Sequence, residues 1–123
     1  MDTLIVPDVE ERGLKVGLHA LTPRERDVFA IYDLELYYEM EGCFVDHISR
    51  APEKFAWLED ALERIGDLGS LRIVRRLSEV EDETPAAIAL CDEYGARKEF
   101  RWGCLERYLL SQNIQLRWER NGA

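Results

Sequence analysis

Two kinds of residue pair in this chain have the spacing that chemistry needs. Cys43 and His47 lie four positions apart, where two side chains can share one face of a helical turn, so a thiol–imidazole nucleophile can be drawn. Glu41 and Asp46 flank that pair, and negative charge beside a thiol holds its proton on. Nothing nearby offers an oxyanion site, so the plainer reading is a partly buried cysteine and a surface histidine. Glu35 with Glu39, and Glu59 with Glu63, are carboxylates at i, i+4. A di-metal bundle would also need Glu-x-x-His from facing helices, and that set occurs nowhere in the chain. Gly66 and Gly69 fit neither the Walker nor the dinucleotide spacing. Cys43, Cys91 and Cys104 are odd in number and widely spaced, which argues against both a zinc site and a disulfide scaffold. The expectation is a protein that is not an enzyme, with no metal and no cofactor.

Charge points elsewhere. The 123 residues carry 25 acids against 16 Lys and Arg, a net charge of -9, which disfavours direct binding to nucleic acid or an anionic bilayer. The first 63 residues hold 15 of those acids and 6 bases, whereas the remainder is balanced. An acidic surface is therefore expected in the first half, with ordinary solvation as the competing reading. The N-terminal stretch has an acid at position 2 and a short apolar run broken by Pro7, unlike a signal peptide. No apolar run approaches the roughly 18 residues that span a membrane, and a cytoplasmic protein with reduced thiols is expected.

The elements that must position these residues read as helices. Pro7 to Leu21 has helical spacing through Val9, Leu14, Val16 and Leu18, weakened by Gly13 and Gly17. Thr22-Pro23-Arg24-Glu25 is a capping box opening a helix that runs to Glu41 and stops at Gly42; its apolar residues wrap most of the circumference, which predicts a central helix. Cys43 to Ile48 has room for one or two turns. Pro52 opens an amphipath with Phe55, Leu58, Leu62 and Ile65 inward and Glu59, Asp60 and Glu63 outward, ended by Gly66. Leu68 to Val80 follows with Leu68, Leu71, Val74 and Leu77 inward and Arg72, Arg75 and Arg76 outward, giving a helical hairpin of opposite outer charges. Thr84-Pro85 starts another helix, interruptible at Gly95, and a last helix covers Phe100 to Leu110. Asn113 to Trp118 alternates like a strand but shows no partner, so a strand and an extension of the last helix both stand open. The fold class is all-α: one helical domain over 1–123, a bundle of five to six helices with a short extended tail as an option. Tyr32, Tyr37, Tyr38, Trp57 and Trp102 read as core, since no basic stripe interleaves with them. The three arginines read as partners for neighbouring carboxylates.

Phe29-Ala30-Ile31-Tyr32-Asp33-Leu34-Glu35, Met40-Glu41-Gly42-Cys43-Phe44 and Leu62-Glu63-Arg64-Ile65-Gly66 also occur in a familiar order. Across about residues 26 to 78 the chain resembles the bacterial DNA-mimic protein family, a helical domain marked by a helix ending in Asn-Asn-Gly-Gly-Phe and a later Leu-x-x-Ile-Gly. Gly42 and Phe44 match the marker, whereas Met40 and Glu41 stand at its asparagines and Cys43 at its second glycine. The resemblance implies an all-helical fold, often a homodimer, whose carboxylates imitate phosphates and occupy the DNA-binding surface of a basic protein such as a transcriptional regulator. The expected partner-binding face comprises Glu35, Glu39, Glu41, Asp46, Glu53, Glu59, Asp60 and Glu63. The alternative is an immunity-type or other interaction module that binds through a mixed aromatic and charged surface.

Overall fold

The structure is a computed structural model and describes residues 1–119; positions 120–123 of the expected domain lie outside the described residues. In chain order it comprises β1 (Asp2–Ile5), α1 (Val6–Val16), a 3-10 turn (Leu18–Ala20), α2 (Pro23–Glu41), α3 (Val45–Arg50), α4 (Pro52–Ile65), α5 (Leu68–Leu77), α6 (Pro85–Ala96), α7 (Lys98–Ser111) and β2 (Ile114–Arg117). The architecture is the all-α bundle that the periodicity predicts, with a small two-stranded sheet added. Counted among the described residues, the short α3 brings the helices to seven. None of them is long and apolar enough to cross a membrane.

The central helix forms for the expected reasons. Thr22 Oγ1 accepts from the Glu25 backbone N–H at 3.3 Å and Glu25 Oε1 accepts from the Thr22 N–H at 2.9 Å, so two orphan donors of the first turn are satisfied reciprocally. Arg12 of α1 donates to the same Glu25 oxygen at 2.7 Å, which ties the cap to the preceding helix. Val28, Phe29, Ala30, Ile31 and Leu34 are all buried, because α1, α4 and α6 each cover part of α2. Gly13 lets α1 come this close: a Cβ there would lie 2.5 Å from the Phe29 ring. The same region corrects the expected first helix, since Gly17, at φ 95°, ends α1 and leaves only a 3-10 turn before Leu21.

The α4–α5 hairpin is built as the sequence predicts. Gly66 adopts the left-handed conformation (φ 82°), and the N–H groups of Gly66 and Asp67 return to the carbonyls of Glu63 and Leu62. Leu58, Leu62, Leu71, Val74 and Leu77 enter the core. Leu68 does not: it is 57% exposed, because the inward place at that end is taken by the side chain of Asp67, which caps the Ser70 N–H at 3.1 Å. Helix α6 is capped by Thr84, which accepts from the Ala87 N–H at 3.1 Å, and runs uninterrupted through Gly95.

The tail is a strand. β2 pairs in parallel with β1, Asp2 opposite Ile114 and Ile5 opposite Arg117. The partner was hidden because a parallel pair needs a long connection, and here every helix of the chain lies between the two strands. Beyond β2, the Trp118 ring rests on Tyr32 and Trp102, with centroids 5.5 and 4.8 Å away.

Candidate functional site

The eight carboxylates expected to form one acidic face are distributed differently. Glu35 is 4% exposed and is held inside the bundle by Arg101 and Trp102, so it is not a surface residue. Its place on α2 faces α7, an approach that helical spacing alone does not reveal. Three others have cationic partners on the surface, Glu39 with Lys98 at 2.6 Å, Asp46 with Arg50 at 3.0 Å and Glu59 with Arg75 at 2.9 Å, and Glu53 meets the His19 ring at 3.0 Å. Glu41, Asp60 and Glu63 are exposed and form no ion pair within 4.0 Å among the described residues.

These last three do not share a face. Arg64 of α4 binds Asp27 near the start of α2, and Lys54 binds Asp33 farther along it, so the two helices run antiparallel. Asp60 and Glu63 therefore sit toward the beginning of α2, whereas Glu41 ends it, about 21 Å from Asp27 at ~1.5 Å per residue. Around Asp60 the acid excess disappears. Arg24, Arg26 and Arg64 line one cavity of about 130 Å³ together with Asp27 and Asp60. Burial raises the Asp27 carboxyl above its ordinary range, against the opposing pull of Arg64 and Arg24. Arg26 lies over the Trp57 ring at 4.8 Å.

The other end of α2 gathers acids from three elements. Partial burial holds the Tyr37 phenol protonated beyond its ordinary range, and the charges of Glu41, Asp46 and Asp82 act in the same direction against Arg50. Asp82 belongs to the α5–α6 turn, where Glu79, Glu81 and Glu83 are also exposed. Charge counting by halves missed this contribution, because the arginines of α5 cancel it in the sum. The run Glu81-Asp82-Glu83 was the available signal.

A second cluster lies behind α2. Asp33 receives His47 Nε2 and Lys54 Nζ, each at 3.3 Å, and its other neighbour is the carboxyl of Glu10. Glu10 is 8% exposed and its Oε2 meets no donor. Burial first, then the hydrogen bond and charge of Asp33, push the Glu10 carboxyl up to about 8, opposed by Lys54. A proton held on Glu10 and donated to Asp33 supplies the donor that two adjacent carboxyl groups otherwise lack between them. The adjoining apolar cavity, between Phe29, Phe55 and Leu58, has a volume of about 20 Å³, room for one water but not for a substrate.

Cys43 and His47 do not form a catalytic pair. The His47 ring stacks on Tyr37 with centroids 4.2 Å apart and its Nε2 faces Asp33, while Cys43 Sγ faces Cys91 Sγ at 3.3 Å. Among the described residues no group of three or more His, Cys, Asp or Glu is placed to hold a metal ion. Of the aromatics, Tyr94 and Trp102 are buried, and Tyr32, Tyr37, Tyr38 and Trp57 are partly buried against the core. No protein-family model, curated protein or solved structure matches this chain.

Proposed function

We propose that this chain is a non-enzymatic acidic binding protein, and that it docks a basic partner through the end of the bundle where the charges of Glu41, Asp46 and Asp82 act on Tyr37. The observation that carries the reading is that carboxylates from α2, α3 and the α5–α6 turn are near enough for their charges to act together on one partly buried phenol. Elsewhere, surface acids such as Glu39 and Glu59 are matched by cations within the chain. At this end Arg50 offsets Asp46 alone, and the remaining excess of negative charge steers an oppositely charged protein toward it and makes the association sensitive to salt. Tyr37 adds the amphipathic ring that interface centres favour. The finer form of the proposal is mimicry of nucleic acid: the carboxylates occupy the surface with which a basic protein, such as a transcriptional regulator, holds DNA in the cytoplasm. An interface anchored on aromatic side chains is the weaker reading, since Tyr94 and Trp102 are engaged in the core.

Affinity capture from native lysate at low and high salt, run in parallel with a Glu41→Lys/Asp46→Lys/Asp82→Lys chain, tests this. A basic protein should be retained at low salt, released at high salt, lost with the triple variant, and displaced by added duplex DNA if mimicry is the mechanism. Equal recovery by the triple variant, or recovery indifferent to salt, would remove the acidic end as the docking surface.

A further inference from the structure

Cys43 and Cys91 are far apart in sequence and adjacent in space. Cys43 follows Gly42 at the end of α2 and is partly exposed; Cys91 lies in α6 and is 1% exposed. Their sulfurs are 3.3 Å apart, and the Phe44 N–H donates to Cys91 Sγ at 3.4 Å, so the segment after Gly42 is already held against this thiol. The third cysteine, Cys104, is buried in α7 and its sulfur is approached by Arg107 at 3.6 Å, not by either of the other two thiols.

We infer that Cys43 and Cys91 are an oxidative modification site, at which hydrogen peroxide converts the two thiols into an intrachain disulfide linking the α2–α3 junction to α6. Closing the bond needs the sulfurs to approach from 3.3 Å to about 2.05 Å, a movement of little more than an ångström. The means for it is local: Cys43 lies in the short segment between two helices, next to Gly42, whose φ of 83° lies in the region that glycine adopts without strain.

The chemistry assigns different roles to the two sulfurs. Solvent reaches Cys43, so its thiolate attacks one peroxide oxygen, the O–O bond breaks, and the sulfenic acid forms as hydroxide leaves and takes up a proton to become water. Cys91 sulfur then attacks Cys43 sulfur; the S–S bond forms, the S–O bond breaks, and the departing hydroxyl leaves with the Cys91 proton as a second water. In sum, two thiols lose two hydrogens and one peroxide is reduced to two waters. Burial, the Cys43 neighbour and Asp92 push the Cys91 thiol up to about 12, so the second step is slow at neutral pH and accelerates as pH rises.

The test treats the folded wild-type chain with hydrogen peroxide, quenches it, and alkylates it under denaturing conditions. The expected product is about 2 Da lighter, has one alkylatable thiol at Cys104, yields a Cys43–Cys91 cross-linked peptide, and recovers all three thiols with dithiothreitol. Faster cross-linking at higher pH should accompany it. A Cys91→Ser chain should instead accumulate sulfenic or sulfinic acid at Cys43, and a Cys104→Ser chain should cross-link like the wild type. Three intact thiols, a cross-link through Cys104, or Cys43 over-oxidised by about 32 Da in the wild type with no cross-link would overturn the inference.

Discussion

Arg101 and Glu35 form a charge pair with almost no access to water. Arg101 Nε and Nη2 both donate to Glu35 Oε1, at 2.9 and 2.6 Å, and the two residues are 0% and 4% exposed. Every donor group of the guanidinium has a purpose, because Nη1 reaches the Tyr94 carbonyl at 2.9 Å and Ser70 Oγ at 3.3 Å, while the plane lies 3.7 Å from the Tyr94 ring centroid. Trp102 Nε1 donates to the remaining Glu35 oxygen. Burial raises the Glu35 carboxyl above its ordinary range against the opposing pull of Arg101, so neither charge is tolerable alone.

Removing one partner should therefore cost far more than removing both. Arg101→Met leaves a buried carboxylate without its cation and should lower stability by about 3–5 kcal/mol in urea unfolding. Glu35→Leu combined with Arg101→Met should recover a large part of that loss, since apolar replacement of a whole buried pair is often neutral. Additive losses in the double variant would mean that the pair contributes as two separate packing units.

The Glu10 carboxyl gives the fold a pH dependence whose sign can be worked out. Its folded value of about 8 stands above the ordinary 4.5, so between these limits the folded chain holds a proton that the unfolded chain releases. Stability must fall as pH rises through that window, then level off once both states are ionised. Glu10→Gln keeps a donor beside Asp33 and cannot ionise. The difference in Tm between wild type and variant should widen in favour of the variant from pH 4.5 to pH 8, and a difference constant with pH would show that Glu10 titrates normally.

What the sequence disclosed and what it concealed divide along a physical line. Caps and stops are local, so Thr22 with Glu25, Gly66 and Thr84 were readable and lie where expected. The α4–α5 hairpin was readable for the same reason, including its opposite charges, which meet as Glu59 and Arg75 at 2.9 Å. Contacts between distant segments left no local trace. Glu35 looks like any surface glutamate until Arg101, 66 positions away, packs against it. Cys43 and Cys91 look unrelated at a separation of 48, and the tail strand β2 has no visible partner until it returns beside β1, which carries no strand pattern of its own in the sequence. The acidic end was half legible: Glu41 and Asp46 follow from the helix end, but Asp82 joins them only through the course of the chain.

Gly13 sets two effects against each other. Alanine is the better helix former by about 1 kcal/mol, which favours Gly13→Ala in α1. Against this, the new Cβ would lie 2.5 Å from the ring of Phe29, itself 1% exposed and unable to swing into solvent. Overpacking of a filled site costs typically about 1–3 kcal/mol, so the clash should win and the variant should unfold at lower denaturant. Phe29→Leu in the same chain should relieve part of the loss. Stabilisation by Gly13→Ala alone would show that α1 can shift away from α2 at no cost.

Binding and folding should separate at the acidic end. Glu41 and Asp82 are exposed and make no ion pair within 4.0 Å among the described residues, so reversing them removes only the exposed turn bond in which Asp82 Oδ1 accepts from the Glu83 N–H at 2.9 Å. Glu41→Lys and Asp82→Lys should each change stability by no more than about 0.5 kcal/mol. For Glu41→Lys any change should be a small gain, because the lysine relieves repulsion among the acids at this end, whereas in Asp82→Lys that relief is set against the lost bond from the Glu83 N–H. A basic partner should nevertheless be lost, and the loss should be steepest at low salt, where the field of the patch extends furthest. Melting curves of the two variants, compared with their capture of the partner, distinguish this from unfolding. A drop in Tm that parallels the loss of capture would place these carboxylates in the service of the fold and not of an interface.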